Sequence, residues 1–182
     1  MSPAISAIPL TRIDGQTDSL ADHAGRVLLI VNVASKCGLT PQYEGLEDLY
    51  RTHQAAGLEV LAFPANNFNG QEPGADDEIA GFCRTSYDVT FPLYSKISVK
   101  GDDIHPLYAA LTSLRPETVG DGPMRERLAG YGVPVGGPGE VVWNFEKFLI
   151  GRDGQVLARF APDVEAADPR LTAAVEGALA AG

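Results

Sequence analysis

The stretch RVLLIVNVASKCGLTPQYEGLEDLY, residues 26–50, decides the fold. Residues 26–34 form a continuous apolar run rich in β-branched side chains, the pattern of a strand covered on both faces, as in a parallel sheet. Pro41 suits the first turn of a helix, because its missing N–H would be unpaired there anyway. Tyr43, Leu46, Leu49 and Tyr50 then recur at helical spacing, and Gly57 ends the element. Residues 58–63 (LEVLAF) read as the next strand, completing a βαβ unit. At the junction of its first strand and its helix sits Cys37, one of two cysteines in the chain.

Outward from this unit, Pro73–Gly74 marks a turn, and a helix with acidic residues in its first turn is predicted from Asp76 to about Arg84. Residues 92–99 are predicted as a strand and 105–114 as a helix. A long Gly/Pro-rich stretch follows at about 115–140, with one helical turn near 124–128. Connections of that length in compact domains are functional or mobile. Residues 144–150 and 155–160 flank GRDG, whose Asp153–Gly154 is a hairpin signal. A final amphipathic helix covers about 168–180. Parallel strands joined by helices, closed by an antiparallel pair, imply an α/β fold: a central mixed sheet with helices on both faces, in one domain spanning 1–182. The thioredoxin-like fold has this order.

The composition narrows the function classes. With 182 residues the chain can bury a core without staples. A net charge of -10 argues against nucleic acid and anionic membrane surfaces, which need a cationic footprint. No apolar run is long enough to span a membrane, so no membrane insertion is expected. The start, MSPAISAIPL, lacks the basic and apolar regions of a secretory signal, so a cytoplasmic location is expected. In that compartment two distant cysteines are either inert core residues or a redox pair. His23, His53 and His105 are scattered and expected at the surface or as caps; no spacing suits a metal, and no cofactor is expected.

Cys37 lies just past a parallel strand, where ligands of open α/β sheets bind. Unpaired N–H groups at the following helix start favour negative charge, hence thiolate. Lys36 would add to this if its side chain turned inward. The competing reading is an inert buried thiol.

Four segments, LIVNVASKCGLTPQYEGLEDLY, GLEVLAFPANNFNGQEPG, FCRTSYDVTFPLYSKI and WNFEKFLIGRDGQVLARFAPD, together resemble the glutathione peroxidase family. The resemblance runs from about Ile8 to Leu179. It implies a thioredoxin-like fold and reduction of hydroperoxides, hydrogen peroxide and organic ones alike, through a redox-active cysteine in antioxidant defence against oxidative stress. It carries over a catalytic site of Cys37, Gln71, Trp143 and Asn144. The last three contribute N–H donors that do not titrate and that can face a thiolate or a leaving oxygen. It also implies a resolving cysteine, Cys83, in FCRTSYDVTF, which condenses with the sulfenic acid left on Cys37. The segment at 115–140 resembles the bacterial subgroup found with vitamin B12 transport genes. Where many relatives carry a third cysteine stands Ala65; Asn67 and Asn69 replace a common Gln and Gly.

A Cys37–Cys83 disulfide is a substrate for another protein's dithiol, which favours thioredoxin as reductant. Glutathione, the other donor, is anionic and needs a basic patch; Lys36, Arg84, Lys147 and Arg152 are its candidate contributors. The oligomeric state is left open. Two other readings stand beside the enzyme: a peroxide sensor relaying its disulfide to a partner, and a non-catalytic vitamin B12-related binding module.

Overall fold

The computed structural model describes residues 3–181. After a short helix, α1 (Pro3–Ser6), strands β1 (Leu10–Thr11) and β2 (Thr17–Asp18) pair antiparallel. The main sheet begins with β3 (Val27–Val33). Helix α2 (Gln42–His53) then leads to β4 (Leu58–Pro64). Helices α3 (Asp76–Tyr87), α4 (Pro106–Leu114) and α5 (Pro123–Gly130) follow, then β5 (Lys147–Ile150), β6 (Val156–Phe160) and α6 (Pro169–Ala180). The strand order is β4-β3-β5-β6. β3 runs parallel to β4, with Ile30 beside Leu61, and antiparallel to β5, which in turn pairs antiparallel with β6. This is the mixed α/β sheet that the sequence predicts.

Every residue of β3 is buried, as a strand covered on both faces requires. The helix ends follow local chemistry. A 3-10 turn (Gln54–Ala56) extends α2 to Gly57, whose φ of 116° is left-handed. It is this backbone conformation that demands glycine; a Cβ would also stand 2.7 Å from the Arg152 guanidinium, the movable end of a long side chain. The His105 ring accepts the Leu107 N–H at 3.1 Å and caps α4, as a histidine at an element end was expected to do. Asp168 caps α6 by accepting the Arg170 N–H.

Four expectations are corrected. Residues 92–99 form no regular strand; their backbone pairs with β4 and its exit only at isolated bridges, Leu93 with Ala62 and Ile97 with Ala65. Pro92 has no N–H to give a ladder, and between the bridges the Asp76 carboxylate takes the Lys96 N–H and the Ser95 hydroxyl instead. The segment at 115–140 holds two helical turns in α5 rather than one. It is strapped to β6 by Val119, whose N–H donates to the Arg159 carbonyl and whose own carbonyl accepts from Ala161. The fifth strand starts at Lys147 rather than 144, because Phe145 adopts a φ of 70°, which ends extended structure. His23 is neither exposed nor a cap: its Nε2 lies 3.2 Å from the Tyr94 hydroxyl and 3.3 Å from Asp18, both of which enclose the ring.

Lys147 points into the interior, fully buried, with its ammonium donating to Gln42 Oε1 at 2.7 Å and to the Pro162 carbonyl at 3.1 Å. Burial lowers its pKa to about 7, against the opposing pull of Asp163 and Glu146. In the unfolded chain lysine titrates near 10.4. Between about pH 7 and 10 the unfolded state therefore binds a proton that the fold does not, and stability from this residue rises with pH by up to about 1.4 kcal/mol per unit. Lys147→Met removes that slope. In urea titrations its stability relative to wild type is expected to fall steadily from pH 7 to pH 10; a constant difference would refute the buried, weakly basic amine.

Candidate active site

Cys37 follows β3 by four residues and is 8% exposed, a sulfur reachable from solvent but largely enclosed. Its position is set by Thr40. The threonine hydroxyl donates to the Ala34 carbonyl at 2.8 Å and accepts the Cys37 N–H at 2.9 Å. This closes the turn between strand and helix. The Leu39 N–H points at Cys37 Sγ, 3.3 Å away, and supplies a backbone donor to negative charge on sulfur.

Gln71 comes from the loop after β4. Its carbonyl accepts the Lys36 N–H at 3.0 Å, which fastens it beside the cysteine turn. Its side-chain oxygen accepts from Asn144 Nδ2 at 2.9 Å, and this leaves the Gln71 amide N–H groups free for another acceptor. Asn144 is fully buried, and its own Oδ1 has no partner among the described residues. Trp143 shares a cleft of about 240 Å³ with Cys37, walled otherwise by Gly38 and Leu39 and by Met124, Arg127, Leu128 and Tyr131 of the α5 segment. Its ring packs 5.3 Å from that of Phe68, over which the Lys100 ammonium sits at 5.2 Å. Thus Cys37 and Trp143 meet in one cleft, while Gln71 and Asn144 are bonded to each other and anchored to Lys36, next in the chain to Cys37.

The Trp143–Asn144 segment is held from behind. Asn32, inside β3, donates to the Trp143 carbonyl at 3.1 Å and accepts the Phe145 N–H at 2.6 Å. Glu146 accepts the Val142 N–H and pairs with Arg159 at 2.6 Å, both side chains being buried. Arg159 also donates to the carbonyls of Arg115 and Gly139, which brings the α5 segment to the same place. Asn66 Oδ1 accepts the Glu72 N–H and so steadies the loop of Gln71. Asn67 bonds Ser98 and the Val99 N–H, and Asn69 takes a φ of 54°, a left-handed position that asparagine tolerates where many relatives have glycine.

Cys83 is elsewhere. It is fully buried on α3, and both cysteines are free thiols. Burial pushes its pKa to about 11, the Glu72 carboxylate adds to the rise, and the Tyr43 hydroxyl lying against the sulfur opposes it. Three of the basic residues named from the sequence do not converge on Cys37: Lys36 is exposed and lines a different cleft with Glu72 and Phe82, Lys147 is buried, and Arg152 binds the carbonyls of Gly25 and Ala56 at the opposite end of β3. Lys36 therefore does not turn inward toward Cys37.

Sequence reading missed Thr40, Asn32 and the α5 wall. The first two had signals, a hydroxyl residue just before a helix-starting proline and a lone amide inside an apolar run. For Met124 and Leu128 only the length of the segment hinted at a role.

A glutathione peroxidase family model matches residues 5–112. The thioredoxin/glutathione peroxidase BtuE of Escherichia coli (strain K12) is 47% identical over 185 residues, covering 99% of this chain and 100% of that protein. Among solved structures, the apo form of Trgpx aligns with a TM-score of 0.72 and 32% identity over 99% of this chain and 97% of that one. A thioredoxin-family thiol:disulfide interchange protein of Chlorobium tepidum TLS aligns at 0.62 with 15% identity, covering 94% and 92%, which establishes the thioredoxin-like fold.

Arg159→Met leaves Glu146 buried without its cation. A loss of about 3–5 kcal/mol is expected in denaturant unfolding, and a loss under about 1 kcal/mol would show that the pair does not support the Trp143 segment.

Proposed function

This chain belongs to the glutathione peroxidase family and is a thiol-dependent peroxidase of hydroperoxides; we propose that Cys37 is its peroxide-reducing sulfur, with Gln71, Trp143 and Asn144 as donors around it. The thiolate attacks one peroxide oxygen. The S–O bond forms as the O–O bond breaks, and the departing oxygen takes a proton to leave as water or an alcohol. The backbone N–H of Leu39 faces the charge before the step. The neutral amides of Gln71 and Asn144 and the indole of Trp143 are suited to the charge that develops during it, because none of them can be lost to titration. The observation that carries this reading is the enclosed Cys37 sulfur, addressed by a backbone donor and opening on the cleft it shares with Trp143.

The product, a Cys37 sulfenic acid, is resolved by Cys83 in this proposal. Thioredoxin then reduces the disulfide by exchange. The scatter of Lys36, Lys147 and Arg152 supports that donor over glutathione, since these three cations are not gathered at the Cys37 cleft, whose lining holds a single basic residue, Arg127. The name of the E. coli relative includes both donors. A role in oxidative-stress defence in the cytoplasm is proposed on the same chemistry; among the described residues, no helix is long and apolar enough to cross a membrane.

Cys37→Ser is expected to abolish peroxide consumption. Cys83→Ser is expected to reduce one peroxide per chain and then stall when fed by thioredoxin and its reductase, as followed by NADPH oxidation. Full steady-state turnover by Cys83→Ser would overturn its resolving role and leave that of Cys37 standing.

A further inference from the structure

In the reduced protein Cys83 is held where it cannot react. Its side chain is fully buried, and the helix that carries it is tied down at both ends. At the N-terminal end Asp76 binds the Ser95 hydroxyl and the Lys96 N–H. At the C-terminal end the last turn closes through Asp88, left-handed at a φ of 50°, with the Val89 N–H donating to the carbonyl of Cys83 itself. What fixes residues 88–90 is α2. Glu47, 4% exposed, accepts the Thr90 N–H at 2.7 Å, the Thr90 hydroxyl and Arg51 Nε. Arg51 in turn reaches the Asp88 carbonyl at 3.0 Å and its carboxylate at 3.1 Å. Three donors thus converge on one buried carboxylate that sits on the helix following Cys37, and the carboxylate fastens the exit of the helix bearing Cys83.

We propose that Glu47 is a latch: by tying residues 88–90 to α2 it keeps the Cys83 helix closed and sets how often that thiol is released to meet an oxidised Cys37. Glu47 is a positioning residue and touches no reacting atom. The step it controls is balanced by the two sulfurs alone. The Cys83 thiol attacks the Cys37 sulfenic acid, an S–S bond forms, the S–O bond breaks, and hydroxide leaves with the thiol proton as water. Burial argues for such gating from a second side, since a thiol shifted to about 11 is almost wholly protonated and a poor nucleophile until it is opened to water. The middle of α3 is built to yield: at Gly81 a Cβ would meet open space, and Thr85 bonds back to the Gly81 carbonyl, an arrangement that weakens helices.

The inference rests on Cys83 being the resolving thiol, and the test separates the two. Trp143, the sole tryptophan, lines the Cys37 cleft and reports both steps by fluorescence after rapid mixing of the full chain with hydrogen peroxide. A first phase proportional to peroxide concentration marks sulfenic acid formation; a second, independent of it, marks disulfide closure. Glu47→Gln keeps the shape but loses the charge, and Arg51→Met, on a half-exposed side chain, loosens the same tie with little risk to folding. Loss of one charge-assisted hydrogen bond makes the opening about tenfold more frequent. Both variants are therefore expected to leave the first phase unchanged and to speed the second by about tenfold. An unchanged or slower second phase overturns the latch. Wild-type protein that shows no second phase, and no Cys37–Cys83 disulfide on peptide mapping, overturns the resolving role of Cys83 and the latch with it.

Discussion

The single hydroxyl of Thr40 is where sheet and chemistry meet. It bridges the carbonyl of Ala34, one residue past β3, and the amide of Cys37, and with that one side chain the exit of a buried parallel strand becomes a turn that aims a sulfur at a backbone N–H. Everything else in the site is placed relative to that turn. Lys36 anchors the carbonyl of Gln71, and Gln71 holds Asn144. Asn32, one residue upstream of the strand's end, holds the backbone on both sides of Asn144. Because β4 is parallel and β5 antiparallel to β3, the loop leaving β4 and the segment entering β5 arrive at the same end of the sheet. The topology brings three distant stretches together.

The two thiols are treated in opposite ways by the same fold. Cys37 sits at a strand exit, next to a backbone donor and a cleft, whereas Cys83 is sealed against Tyr43 on a helix face with its pKa pushed up. In the proposed mechanism the first meets peroxide and the second is protected from it. Under that proposal the asymmetry keeps the second thiol reduced until the first has reacted, which is the order that the chemistry demands.

Much of this was legible in the residues. The run at 26–34 predicted a doubly covered strand because no alternation of polar and apolar side chains interrupts it, and β3 is buried at every position. The Gly57 stop and the 105–114 helix followed from rules of helix ends that act within a few residues. Failures came where distant groups override local preference. Residues 92–99 have strand composition, yet Asp76, far away in sequence, captures the Lys96 N–H that a ladder would use. The α5 segment looked irregular because its order comes from the backbone of Arg159 and Ala161, which pairs with Val119, and from the Arg159 side chain, partners that no local pattern reveals. In the site, Gln71, Trp143 and Asn144 were nameable only through resemblance. Their supports, Thr40 and Asn32, were nameable from chemistry alone, as buried polar groups that need partners.

The account stands on one sulfur reacting first. The most direct measurement exposes the reduced protein to one equivalent of hydrogen peroxide in the presence of a dione that traps sulfenic acids, then maps the adduct by mass spectrometry of the peptides. The account predicts the adduct on Cys37 with Cys83 unlabelled; an adduct on Cys83, or an intact Cys37 thiol while peroxide is consumed, would contradict it.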